Sequence, residues 1–136
     1  MMIANSLLTN ILPRRGGTIS LMEGKSIRIG EDCMFSSHIS ISNGDFHTIS
    51  MSNSEDRINE ARDMIIGSHV GLCEGVRILK GCYIPNNCVI GSGSLVTKYL
   101  DKSCSIYVGN PAKCVKENIC WSRERYSNSQ KSVFED

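Results

Sequence analysis

VRILKGCYIPNNCVIGSGSLVT, residues 76–97, carries an aliphatic side chain at every sixth position. These positions are Ile78, Ile84, Ile90 and Val96. A spacing of six fits neither the alternation of a half-buried strand nor the three-and-four spacing of an amphipathic helix. The backbone must therefore return to the same side of a core once in every hexapeptide.

The hexapeptide register extends well beyond this stretch. Positions 66 and 72 hold Ile and Leu, and an earlier block continues the register with Ile29, Phe35 and Ile41. A second inward position falls four residues after most of these, at Cys33, Ile39, Val70, Val76, Cys82, Cys88 and Ser94. Residues that tolerate positive φ fall between them, at Gly75, Gly81, Asn87 and Gly93. The pattern is typical of a β-solenoid, so we predict an all-β, three-sided parallel β-helix.

Length and composition limit the possible functions. The 136 residues predict one domain, 1–136, and 15 basic against 14 acidic residues give no basic field for a nucleic-acid partner. The apolar stretch in residues 1–15 is too short for a membrane span and has no basic residue before it, so we expect neither a span nor an export signal. Seven cysteines without a C-x-x-C pair favour a reducing, cytoplasmic location.

The register breaks at position 47, where the expected aliphatic residue is a histidine, and it resumes at Ile66. We therefore predict coils over about 18–46 and 64–108, separated by a projecting loop over about 47–63 that is rich in Ser, Asn and charged residues. A Gly-Asn-Pro turn follows at 109–111, and the pattern after it predicts a short C-terminal helix over about 117–125.

Three stretches carry a resemblance to a known family: IGEDCMFSSHISISNGDFHTI, INEARDMIIGSHVGLCEGVRILKGCYIPNNCVIGSGSLVTK and VGNPAKCVKENICW. They resemble the hexapeptide-repeat acyltransferases, and most of all the O-acetyltransferases of bacterial surface polysaccharides. The resemblance implies a left-handed parallel β-helix and a homotrimer with active sites between subunits. It also implies transfer of an acetyl group from acetyl-CoA to a hydroxyl of a sugar or polysaccharide acceptor, without a metal.

The same resemblance assigns His47 as the general base. An imidazole whose pKa lies near neutral pH can take the proton of a hydroxyl while that oxygen attacks a thioester carbonyl. Asp45 could accept the other ring N–H and fix the tautomer, although a backbone carbonyl would serve as well. His38 and His69 fall on the position of the corner residues, so we interpret them as surface residues and not as catalysts.

For the donor, the resemblance places Glu74, Gly75, Ser92 and Gly93 beside the pantetheine arm, followed by Thr97 and Lys98. Lys113 and Lys116 match basic positions after the G-N-P turn, where an ammonium group can pair with the phosphates of CoA. The chain departs from the family at 69–73, where H-V-G-L-C replaces the usual H-V-W-I-G. An aromatic group often found near the donor is therefore missing from position 71.

Other functions stay open on the sequence. The acceptor could be another small molecule, such as an amino sugar or a serine-like compound. A zinc hydratase of the carbonic anhydrase type is built on the same solenoid and uses three histidines, but two of its ligands lie five positions apart, whereas His47 and His69 are separated by the whole loop. A non-catalytic assembly solenoid would need neither the D-x-H nor the V-T-K run.

Overall fold

The structure is a computed structural model that describes residues 2–3 and 16–125. The strands in these residues are β1 Met2–Ile3, β2 Thr18–Ser20, β3 Ile27–Ile29, β4 Met34–Phe35, β5 Ser40–Ser42, β6 Met64–Ile66, β7 Gly71–Leu72, β8 Arg77–Ile78, β9 Tyr83–Ile84, β10 Val89–Ile90, β11 Leu95–Val96, β12 Ile106–Gly109 and β13 Ala112–Lys116. Most are only two or three residues long, because the chain turns a corner after each hexapeptide.

The strands stack into three sheets, in the orders β1-β3-β6-β9, β11-β8-β5-β2 and β13-β12-β10-β7-β4. All pairs are parallel except β1 with β3 and β12 with β13. Within the second block, Ile66 pairs with Ile84 and Leu72 with Ile90, so one coil consists of three hexapeptides. The predicted all-β fold, with a parallel β-helix, is confirmed.

The core consists of the residues at the two inward positions of the repeat. Every aliphatic residue from Ile66 to Val96 in the register is at most 1% exposed, as are Ile29 and Ile41. At the second inward position, Val70, Val76, Cys82, Cys88 and Ser94 are also buried. Because each side chain stacks on its equivalent in the next coil, the core is a continuous column between the three sheets.

Three columns of turns form the corners of the solenoid. The first corner follows the β3-β6-β9 sheet and contains 30–32, 67–69, 85–87 and 101–104. The second corner precedes the β11-β8-β5-β2 sheet and contains 36–38, 73–75 and 91–93. The third corner follows that same sheet and contains 21–25, 43–44, 79–81 and 97–98. Positive φ occurs at the predicted positions, with 74° at Gly75, 63° at Asn87 and 70° at Gly93.

The prediction of a helix over 117–125 is wrong, since no helix occurs in the described part of the chain. Asn118 has a φ of 57°, in the left-handed region, which interrupts a right-handed helix. The N–H of Ile119 donates to the carbonyl of Cys104 on the solenoid and not to a carbonyl one helical turn back. Since the described residues contain no helix, none that could cross a membrane is found there either.

Candidate active site

A long excursion leaves the third corner between β5 and β6. Its two arms run antiparallel, with a bridge between Ser50 and Arg57 and a 2.8 Å hydrogen bond from the N–H of Ile58 to the carbonyl of Ile49. The tip, 52–56, is exposed. The base is therefore ordered by backbone pairing, which fixes the backbone at the mouth of the loop.

Asn59 closes the base of this loop with a buried amide. Its Oδ1 accepts the N–H of Ile49 at 2.8 Å and the Nε–H of Arg57 at 3.3 Å. Its Nδ2 donates to the carbonyl of His47 at 2.8 Å and to Oδ2 of Asp45 at 3.1 Å. All four hydrogen-bonding capacities of the amide are used, so the two arms are joined through one side chain.

Asp45 forms an ion pair across the third corner. Lys80 donates from Nζ to Oδ2 of Asp45 at 2.7 Å. The hydrogen bond from Lys80, with smaller contributions from the hydrogen bond of Asn59 and from the charge of Lys80, lowers the pKa of the Asp45 carboxyl below its usual range. Among the described hydrogen bonds, none joins Asp45 to the His47 ring. The carboxylate instead accepts hydrogen bonds from Asn59 and Lys80.

Glu23 forms a second anchor on the preceding coil. Its carboxylate pairs with the guanidinium of Arg57 and accepts the N–H of Ala61 at 2.9 Å. The Arg57 hydrogen bond is the main cause that holds the pKa of Glu23 below its usual range. Two carboxylate–cation pairs, Asp45 with Lys80 and Glu23 with Arg57, thus hold the loop to the solenoid.

His47 lies in an open groove at the mouth of the loop. The groove has a volume of about 420 Å³, and its lining residues are Met22, Glu23, Asp45, Phe46, His47, Thr48 and Arg57. The His47 side chain is exposed, and no hydrogen bond to its ring is present within the described residues. The imidazole is therefore accessible to a reacting hydroxyl.

The predicted pantetheine residues occupy the second corner together. Gly75 donates its N–H to the carbonyl of Ser37 at 3.0 Å, and Gly93 donates to the carbonyl of Glu74 at 2.8 Å, so 74–75 and 92–93 lie directly above one another. An added Cβ on Gly93 would meet nothing within 4 Å. A ligand can therefore approach the backbone closely along this edge.

The predicted phosphate-binding lysines lie at the C-terminal end of the solenoid. Lys98 and Lys113 line a groove of about 400 Å³ together with Lys102, while Lys116 lines an adjacent groove with the same Lys102. The sequence does not point to Lys102, because the fold of the β12-β13 hairpin, and not a sequence motif, brings Lys113 and Lys116 beside it. Lys102 is paired with Glu117 at 3.2 Å. Thr97 follows β11 directly and lies beside Lys98.

The three histidines lie at three different corners. His38 and His69 occupy the second and first corners with φ of 59° and 53°, in the corner positions that the register predicts. His47 lies at the third corner. Within the described residues no group of three or more His, Cys, Asp or Glu side chains could hold a metal ion.

Trp121 fills the space above Gly71, which the sequence leaves without an aromatic side chain. A Cβ on Gly71 would lie 3.7 Å from the indole, and the same indole stacks on the His69 ring at a centroid distance of 3.9 Å. Trp121 Nε1 donates to the carbonyl of His69 at 2.8 Å. This contact joins residues 52 positions apart, so no local sequence pattern reports it.

Comparisons with known proteins agree with this architecture. A comparison with family models finds no match for the chain. A crystal structure of the polysialic acid O-acetyltransferase OatWY superposes with a TM-score of 0.75 at 38% identity, covering 90% of this chain and 60% of that one. The resemblance to the left-handed β-helix acyltransferases of the hexapeptide-repeat family is therefore confirmed.

Two curated relatives are named polysialic acid O-acetyltransferase. The protein of Neisseria meningitidis is 43% identical over 113 residues, which are 83% of this chain and 53% of the relative. The protein of Escherichia coli O1:K1 / APEC is 42% identical over 98 residues, which are 72% of this chain and 32% of the relative. The chain thus spans about half of the length of the first relative and about a third of the second.

Proposed function

We propose that this chain transfers an acetyl group from acetyl-CoA to a hydroxyl of a surface polysaccharide or its precursor. The observation that carries the proposal is the accessible His47 imidazole, held at the mouth of an anchored loop on an acyltransferase fold. The names of the curated relatives favour a sialic acid polymer as the first acceptor to test.

In this mechanism His47 acts as the general base. It takes the proton of the acceptor hydroxyl while the hydroxyl oxygen attacks the thioester carbonyl carbon, and backbone N–H groups stabilise the oxyanion that develops. The carbon–sulfur bond then breaks, and the proton held by His47 passes to the departing thiolate. Asp45 is ionised at neutral pH and keeps a negative charge near the imidazolium that forms between these steps.

The donor is proposed to lie along the second corner. The pantetheine arm would run beside Glu74, Gly75, Ser92 and Gly93, where the two glycines and Ser92 leave the backbone accessible. Its phosphates would reach the lysine groove of Lys98, Lys102 and Lys113, with Thr97 and Lys116 at its borders. Lys98 and Lys113 offer two ammonium groups at this groove for phosphate charge, and Lys102, whose ammonium is shared with Glu117, is a third donor.

We further propose that the active enzyme is a homotrimer. The strands β5, β8 and β11 run from the second corner to the third, so the donor edge and His47 of one chain lie on opposite edges of a sheet. The six residue-to-residue steps of extended chain from His38 to Gly44 span roughly 20 Å. A second copy whose donor edge faces His47 would complete the site, and closed cyclic symmetry would repeat it.

The proposal is tested by incubating the protein with acetyl-CoA and polysialic acid and measuring the mass gain of one acetyl group per modified sugar. His47→Ala should lower turnover by about a hundred- to ten-thousand-fold and leave the affinity for acetyl-CoA unchanged, because only the base is removed. Asn53→Ala, on the exposed tip of the same loop, is the control and should keep parent turnover. Near-parent transfer by His47→Ala would show that His47 is not the base.

A further inference from the structure

Phe46 exposes more of its side chain than any other large apolar residue that the structure describes. Its exposure is 82%, against 63% for Tyr99 and 61% for Val115. A single exposed apolar side chain needs no explanation on a protein surface. Phe46 differs because it lines the same groove as His47 and directly precedes it.

The backbone is fixed on both sides of Phe46. Asn59 holds the carboxylate of Asp45 before it and the carbonyl of His47 after it, at 3.1 and 2.8 Å. Lys80 holds the same carboxylate from the next coil. Because both neighbours are anchored, the phenyl ring is presented at the groove, and less conformational freedom is lost when a ligand binds to it.

The groove around Phe46 combines an aromatic surface with hydrogen-bonding side chains. Glu23, Asp45, Thr48 and Arg57 line it together with the phenyl ring. A pyranose has a face made of C–H bonds and an edge of hydroxyl groups, so it needs an apolar surface and polar groups at right angles to it. Ligand sites of mixed character meet both needs at once.

The charges in the groove do not provide an alternative basis for recognition. Glu23 is paired with Arg57, and Asp45 with Lys80. Each cation is therefore engaged by a carboxylate of the protein itself, and the ligand meets a balanced site. Besides the accessible His47 imidazole, the exposed ring of Phe46 is the feature of this groove that is left for a ligand.

We propose that Phe46 is the platform for the acceptor sugar, with the C–H face of the pyranose on the phenyl ring and a hydroxyl directed at His47. The inference rests on the proposed transfer to a sugar and adds the residue that recognises the ring. Replacement of a residue with this role should change the KM for the acceptor and leave the KM for acetyl-CoA unchanged.

Phe46→Ala and Phe46→Trp in the full chain test the proposal, with a polysialic acid oligosaccharide as the probe. Binding is measured by calorimetry, and KM by acetyl transfer. Phe46→Ala should raise the Kd and KM for the oligosaccharide about tenfold, and Phe46→Trp should stay within about threefold of the parent, since the aromatic face is kept. Met51→Ala and Ile58→Ala, exposed loop residues outside the groove lining, are matched controls that should keep parent values.

Three outcomes overturn the inference. If the parent chain acetylates the oligosaccharide and Phe46→Ala binds it with unchanged affinity, the inference fails and the proposed function stands. If the parent chain neither binds nor acetylates the oligosaccharide, both fail for this class of acceptor. If Phe46→Ala alters the oligomeric state in light scattering, the ring belongs to a contact between copies of the chain.

Discussion

The amide of Asn59 determines where the His47 backbone lies. At 5% exposure it replaces the water that would otherwise hydrate the N–H of Ile49 and the carbonyl of His47. A carboxylate in its place could accept both hydrogen bonds that Oδ1 now accepts, but it could donate neither of those that Nδ2 gives. The chemistry of this position is therefore specific to an amide.

We expect Asn59→Asp to lower the turnover number by about tenfold or more, because a general base that is misplaced by a fraction of an ångström loses its alignment. The affinity for acetyl-CoA should not change, since the donor edge lies at another corner. Asn53→Asp, on the exposed tip of the same loop, is the control for added charge. Equal kinetics of the two variants in acetyl-transfer assays would show that Asn59 does not position His47.

The C-terminal segment is held by His69, whose two ring nitrogens each face a hydrogen-bond acceptor. Nδ1 of His69 lies 2.7 Å from Oδ2 of Asp32, and Nε2 lies 3.0 Å from the carbonyl of Trp121. Both partners can only accept, so both hydrogen bonds form together when the ring is an imidazolium with a proton on each nitrogen. The Trp121 carbonyl first, and then Asp32, raise the pKa of His69, while Arg123, which also pairs with Asp32, opposes this.

This arrangement predicts that docking of the segment weakens at alkaline pH. An imidazole whose pKa is raised by folding stabilises the folded arrangement fully below its unfolded pKa of about 6.5, and the stabilisation is lost as the pH rises through the raised value. Trp121 is the single tryptophan, so its fluorescence reports the docking directly. We expect its emission to change with pH above about 6.5.

His69→Asn is the matched variant for this titration, because asparagine tolerates the positive φ of 53° at this corner but does not titrate. Its Trp121 emission should be independent of pH between about 6 and 9, although the other two histidines, His38 and His47, remain in this variant. Parent emission that is flat over the same range would contradict the proposed dependence on His69.

The elements differ in how far the sequence predicts them. The hexapeptide register predicts the core and the corners, because each residue there contacts its equivalent one coil away and the repeat itself encodes that contact. The segment after β13 has no repeat, and its structure depends on Trp121 and His69, far apart in sequence. Local propensity alone therefore predicts a helix where the chain follows the solenoid surface.

The candidate site divides in the same way. His47 is visible in the sequence because it interrupts an aliphatic register. Asn59, Lys80 and Lys102 are not, because polar residues are common in loops and corners and their partners are decided by how the chain closes. Sequence and resemblance thus identify the proposed base, and the structure adds the groups that hold it.

The proposed trimer predicts that each active site is shared between two chains. His47→Ala removes the proposed base at the third corner, and Ser92→Trp blocks the donor edge at the second corner, where Ser92 is exposed. If a site uses His47 of one chain and the donor edge of its neighbour, neither variant alone forms an intact site. In a mixed trimer, one of the three contacts between chains joins an intact His47 to an intact donor edge, so one site is complete.

We therefore expect the two inactive variants to recover activity when they are co-expressed with different tags and purified through both. Purification through both tags leaves only mixed trimers, so about a third of the parent turnover per chain should be restored, because each mixed trimer holds one intact site in three. The variants folded separately and mixed without exchange of subunits are the control and should stay inactive. Doubly tagged, folded trimers without acetyl transfer would contradict a shared site, and light scattering that shows a monomer at micromolar concentration would contradict the trimer itself.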